Sequence, residues 1–292
     1  MLRNSAGKHR PPSQFGVKDM RNFLVACFFG LCLIGLTATA QAAEMKKIAA
    51  GKFRMGCSHN DQHCESDEGK PGGVSVTVPA FYIDTHEVSV AEYRACVEAN
   101  QCALPKTHTR NKYCNYGAPG RDEYPVNCVD WPDAANYCAK QGKRLPLEAE
   151  WDKAARGGTD AIYIWGKAPT CADAVFDDGK TIGSVQGEMD GCGEDRTWAV
   201  GTRPANPYGL HDMFGNVSEW VQNWYNADAL QTYAKGDLKG PRTGQRKVIR
   251  GGAWDETQAA QRSASRYAKT PISGAAVWGS NGFRCALDDA SP

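Results

Sequence analysis

Residues 206–220 read NPYGLHDMFGNVSEW, and their character sets the fold class. Aromatic residues and glycines alternate, and no apolar stripe recurs at helical spacing. The segment therefore predicts irregular chain with only a short helix after Asn216. Working outward, VIRGGAWDE (248–256), RSASRYAKTP (262–271) and GFRCAL (282–287) share that character, and RLPLEAEWDKAARGG (144–158) precedes them. With 31 Gly and 15 Pro in 292 residues, 41% hydrophobic, the chain predicts one large α+β domain of short elements and long connections. No fixed-period repeat is visible, which argues against a solenoid or propeller.

Nearer the N-terminus, IAAGKFRMG (48–56) and VSVTVPAFYID (74–84) alternate in the manner of paired strands around a polar loop, CSHNDQHCESDEGKPGG (57–73). A helix starts at Ser89, where Ser89 and Glu92 have capping-box spacing, Val88 and Tyr93 can form the staple, and Asn100 stops it. A second begins near Asp130 with Pro132 in its first turn and ends at Gly142. The third, within LEAEWDKAARGG (147–158), ends at Gly157-Gly158, and both are expected to be short and amphipathic. The stretch 171–195, CADAVFDDGKTIGSVQGEMDGCGED, has no apolar periodicity and is long for a loop lacking a ligand or disulfide.

The first 42 residues carry Lys18 and Arg21, then FLVACFFGLCLIGLTAT (23–39), then Ala40-Gln41-Ala42. That is the layout of a secretory signal cleaved after Ala42, leaving a domain over 43–292. A membrane anchor and a start at Met20 are the alternatives. On the signal reading, the mature protein is exported to the periplasm or medium and has no membrane attachment. The remainder holds 29 basic and 32 acidic residues, a balance that argues against nucleic acid as a partner. Its ten cysteines are an even set, which in an exported chain reads as disulfides. Close spacing suggests Cys57 with Cys64, Cys96 with Cys102, Cys114 with Cys128 and Cys171 with Cys192, leaving Cys138 and Cys285 to join each other.

Three clusters admit a metal reading beside a plain one. Asn216 and Glu219 stand three apart and can bring side-chain and carbonyl oxygens around a hard cation such as calcium, or can form a helix capping box. The acid-rich 171–195 loop is a second cation site or a solvated loop. Cys57, His59, His63 and Cys64 form a compact metal cluster, or the two cysteines pair. His86, His108 and His211 are isolated.

In order and spacing, RLPLEAEWDKAARGG, NPYGLHDMFGNVSEW, VIRGGAWDE and GFRCAL resemble the formylglycine-generating-enzyme (sulfatase-modifying factor) family, over roughly residues 46–287. The resemblance implies the family's C-type-lectin-like fold, poor in regular secondary structure and stabilised by calcium and disulfides. It implies calcium oxygens from Gly215, Asn216, Val217 and Glu219, with Ser218 replacing the usual Trp, and a second set at Asp173, Ala174, Asp195 and Thr197. It also implies that Cys138–Cys285 is the disulfide joining mid-domain to the end. Family chemistry uses two reactive cysteines just after RGG to bind Cu(I), yet residues 253–282 contain no cysteine. Formylglycine generation is therefore not expected, and the sequence names no other redox metal. Two functions are open: an oxidative maturation enzyme for a peptide or peptide-derived metabolite, as in the family's pyoverdine-maturation oxidase, or a non-catalytic accessory protein binding a partner. Pocket candidates come from the cysteine-free segment: Trp254, Asp255, Glu256, Arg262, Ser263 and Arg266, with Trp220 and Trp224 as walls.

Overall fold

The computed structural model describes residues 43–179, 191–194, 196–273 and 279–290. The signal segment and Asp195 lie outside them. Among the described residues no helix is long and apolar enough to cross a membrane.

Strand β1 (Met45–Ile48) pairs antiparallel with β4 (Phe81–Asp84), and β2 (Gly51–Met55) with β3 (Val74–Val78). The two alternating segments thus form strand pairs as their period of two requires. Helix α1 (Val90–Glu98) carries the full capping box: Glu92 N–H donates to Ser89 Oγ and Ser89 N–H to the Glu92 carboxylate. Val88 and Tyr93 are both buried, and Asn100 takes φ +56° at the helix end. Helix α2 (Trp131–Lys140) has its proline in the first turn, and α3 (Glu148–Arg156) closes on Gly157 in the left-handed conformation.

Past residue 200 the structure departs from the sequence expectation. Residues Ser218–Trp224 are not a helix but strand β5, so the capping-box reading of Asn216–Glu219 falls with the helix. Gly215 (φ +82°) and Asn216 (φ +59°) turn the chain into that strand, and a Cβ on Gly215 would lie 2.3 Å from the Val175 carbonyl oxygen. The short helix α4 (Ala229–Ala234) follows, then β6 (Lys247–Arg250), β7 (Arg266–Lys269), β8 (Asn281–Gly282) and β9 (Ala286–Asp288). One sheet has the order β7-β6-β5-β8, parallel only between β5 and β8. Strand β9 joins β4 to complete the order β1-β4-β9.

Helix α3 packs against β2, β3, β5 and β6. It is not amphipathic in place: every residue from Glu148 to Arg156 is buried. Its charged residues are matched inside the protein. Glu148 faces Arg250 and Arg266, Asp152 faces Arg156 and Arg250, Glu150 faces Arg144, and Lys153 donates to the Ala49 carbonyl. A second core gathers Tyr93, Tyr137 and Phe283, with Tyr93 and Tyr137 stacked at 5.4 Å between ring centres.

Five disulfides join Cys57–Cys64, Cys96–Cys102, Cys114–Cys128, Cys171–Cys192 and Cys138–Cys285, the pairs that spacing suggested. The last spans 147 residues and ties α2 to the chain entering β9. These sheets, few helices and disulfides are the α+β architecture expected.

Candidate functional site

Glu219 on β5 is buried, and both its carboxylate oxygens are occupied. Arg284 Nε lies 2.9 Å from each, and Trp151 Nε1 donates to Oε2 at 2.8 Å. Arg284 is itself buried and also donates to the carbonyls of Asp84 and His211. Glu219 is thus an ion-pair partner, and as placed it does not present a free oxygen to a cation. Replacing it with alanine is expected to cost about 3–5 kcal/mol in denaturant unfolding, because Arg284 would be left charged and unmatched. A paired Glu219→Leu/Arg284→Met variant should recover much of that loss. A single-variant loss under about 1 kcal/mol would contradict the burial argument.

The carboxylate that does lie against Asn216 and Val217 is Glu87, which the sequence reading missed. It accepts Asn216 Nδ2 at 2.6 Å and the Val217 N–H at 3.0 Å, while Asn216 Oδ1 accepts the Trp198 N–H. Glu87 is 129 residues from Asn216 and two before a helix cap, so no local pattern marks it. Burial pushes it well above the usual carboxylate range, and the nearby charges of Asp212 and Glu219 push in the same direction. Three buried carboxylates thus surround one guanidinium, Arg284. Both Glu87 oxygens are engaged by the Asn216 side-chain and Val217 backbone N–H groups, so the calcium that the resemblance implies at Asn216 and Val217 would draw on backbone carbonyl oxygens there. Gly215 supplies the turn beside them.

Of the second calcium set, Asp195 lies outside the described residues, and Asp173, Ala174 and Thr197 each have surroundings of their own. Asp173 accepts the Thr170 N–H and hydroxyl at 2.9 and 2.8 Å, as a turn-capping aspartate does. Thr197 is buried, with its hydroxyl accepting from Asn115 and its carbonyl from Arg121. Ala174 is buried beside the Cys171–Cys192 bridge. Among the described residues the one close group of metal-ligand types is Cys57, Asp61 and Cys64. Its sulfurs are joined to each other and carry no thiolate, and His59 and His63 are exposed.

The segment after Gly251-Gly252 holds the pocket candidates, and the structure separates them. Arg262 is buried and grips Glu68 through two bonds of 2.7 and 2.9 Å, with a third to Asp61 at 2.8 Å. Arg266 holds Glu148 through two bonds of 2.8 Å. Both are buried pairings. Ser263 is buried and passes its carbonyl to Arg250. Trp254 packs on Tyr113 with ring centres 5.3 Å apart and donates to the Gly279 carbonyl. Trp220 is buried in the core and donates to the Val129 carbonyl.

Asp255 and Glu256 differ from the rest. Each is partly exposed, and each keeps one buried oxygen, Asp255 Oδ1 and Glu256 Oε2, with no hydrogen-bond partner. Burial pushes both carboxyls up, while Lys269 opposes the shift. Glu256 lines a cleft of 350 Å³ with Arg266, Lys269, Tyr225 and Tyr267. A raised carboxyl beside an amine at a cleft can hold and pass a proton.

Residues 33–289 match the family model described as the sulfatase-modifying factor enzyme 1-like domain. The formylglycine-generating enzyme of Thermomonospora curvata is 32% identical, covering 85% of this chain and 94% of that protein. The serine/threonine-protein kinase pkn1 of Chlamydia caviae is 31% identical over 83% of this chain, which spans only 38% of the kinase's length. The solved structure of PvdO from Pseudomonas aeruginosa superposes with a TM-score of 0.66 at 27% identity, covering 84% of this chain and 94% of PvdO. The long motifs, the fold and these likenesses agree, and the chain belongs to the sulfatase-modifying factor (formylglycine-generating-enzyme-like) family.

Proposed function

We propose that this protein is an exported member of the family that does not generate formylglycine. It serves instead in oxidative maturation, or as an accessory factor, for a peptide or peptide-derived small molecule. One observation carries the reading: every cysteine from residue 43 onward is in a disulfide. No thiolate pair remains to hold Cu(I) as a soft ligand set. Where the family resemblance places its reactive cysteines, this chain offers the Asp255–Glu256 pair, whose free buried oxygens suit proton transfer to a bound substrate. The locking of Arg262 and Arg266 into buried pairs favours the second reading, a rigid accessory protein that binds without catalysis.

The test uses a cysteine-containing sulfatase peptide, Cu(I) and oxygen, with mass spectrometry of the product. The peptide is expected to return unchanged with this protein and oxidised with the Thermomonospora enzyme, and conversion here would overturn the proposal. Calcium is the expected structural ion, and elemental analysis of protein purified without added metal should find it. A melting temperature indifferent to chelator would remove it. N-terminal sequencing of the exported protein should begin at Ala43.

A further inference from the structure

A cavity of 840 Å³ lies apart from the Glu256 cleft and shares no residue with it. Its walls come from the turn before β4, the first turn of α3 and the chain entering it, β5, the start of β6, the loop 236–242 and the end of β9. Its volume falls within the range of about 300–1,000 Å³ typical of small-molecule sites. Trp224, Leu147 and Leu238 supply apolar wall, and Lys239, Arg242 and Lys247 supply cations.

Lys247 is an unusual wall residue. Its side chain is buried, and its ammonium lies 3.7 Å from the Trp131 ring centre and 4.0 Å from that of Trp224. Among the described residues it donates one hydrogen bond, to the Gln222 carbonyl at 2.8 Å, although an ammonium has three donors. The indole faces favour the charged form, whereas burial lowers its pKa to about 8.

Arg144, Lys239, Arg242 and Lys247 line the cavity together with four carboxylates, each of which already has a partner of its own. Glu150 and Asp288 are both held by Arg144, Asp289 by Lys47, and Asp237 accepts the N–H groups of Lys239 and Gly240. Lys239 and Arg242 are exposed and form no ion pair among the described residues.

We propose that this cavity binds a small organic anion, with a flat apolar body against Trp224 and Leu238 and its acidic group among Lys239, Arg242 and Lys247. A charged head on an apolar body matches a wall that combines apolar surface with cations lacking an acidic partner among the described residues. The site is independent of the Asp255–Glu256 reading and stands or falls separately from it.

The probe is 8-anilinonaphthalene-1-sulfonate, titrated into the full exported chain by fluorescence. Saturable binding at one site per chain is expected, weakened at least tenfold by Arg242→Glu. That residue is exposed, so the variant should fold, with circular dichroism as the check. Lys247→Met should weaken binding similarly, and bound probe should protect Lys247 from amine acylation mapped by mass spectrometry. N-phenyl-1-naphthylamine, which has the same rings without the sulfonate, should bind at least tenfold less tightly. Equal binding of the two probes, an unchanged titration in a folded Arg242→Glu protein, or loss of binding on Asp255→Asn instead would each overturn the assignment.

Discussion

Replacing Glu148 with alanine is expected to cost about 3–5 kcal/mol of stability, the range for breaking a buried ion pair from one side. Glu148 is wholly buried at the start of α3, with Arg266 bonded through both oxygens at 2.8 Å, Arg250 at 3.4 Å and the Tyr233 hydroxyl at 2.9 Å. Arg250 and Arg266 are directly opposite on β6 and β7, a register that like charges disfavour. The shared carboxylate makes that register tolerable. Without it the two guanidiniums repel in a site of low dielectric, with Asp152 and Asp67 as their remaining carboxylate partners among the described residues. Urea unfolding measures the loss, and a change under about 1 kcal/mol would mean that water replaces the carboxylate.

The same group predicts an acid response. Burial alone would raise the Glu148 carboxyl, but Arg266, Arg250 and Tyr233 outweigh it and hold the folded-state value below the ordinary 4.5. Its stabilisation is therefore present above roughly pH 4.5 and is lost as pH falls through the lower folded value. Glu148→Gln should flatten the acid limb of the stability curve, and parallel limbs in variant and wild type would assign that limb to other carboxylates.

Removing the Cys138–Cys285 bridge is the second large effect. A loop of 147 residues gives a chain-entropy contribution of about 5 kcal/mol, against about 2 kcal/mol for the six-residue separation of Cys96–Cys102. Alanine at both members of each pair, compared by thermal and denaturant unfolding, should rank the long bridge well above the short one. Equal losses would mean that local packing around the fully buried sulfurs, rather than loop closure, sets the contribution.

The elements legible in sequence were those whose cause is local. Ser89 and Glu92 announce α1 because a cap needs only three residues, Pro132 opens α2, and Gly157 ends α3 by accepting a left-handed turn. The first strand pairs follow from a period of two, and the short disulfides from spacing. The motif order was equally plain and decided the family, as was the absence of cysteine from residues 253–282.

Strand β5 was not legible, because SEWVQNW carries a charge and polar residues that suit a helix surface as well as a strand. Only the arrival of Arg284, 65 residues later, allows Glu219 to be buried in a sheet. Likewise nothing local tells that Arg262 and Arg266 are committed to Glu68 and Glu148, 194 and 118 residues distant, even though Arg266 also lines the Glu256 cleft. The sequence by itself determined caps, the first strand pairs, the short disulfides and the family, since each rests on neighbours along the chain. The tertiary structure alone decided which charges are buried, that Glu87 rather than Glu219 lies beside Asn216, and that Asp255 and Glu256 keep unmatched oxygens. A charge can be buried only where another segment supplies its partner, and that pairing is a property of the folded chain.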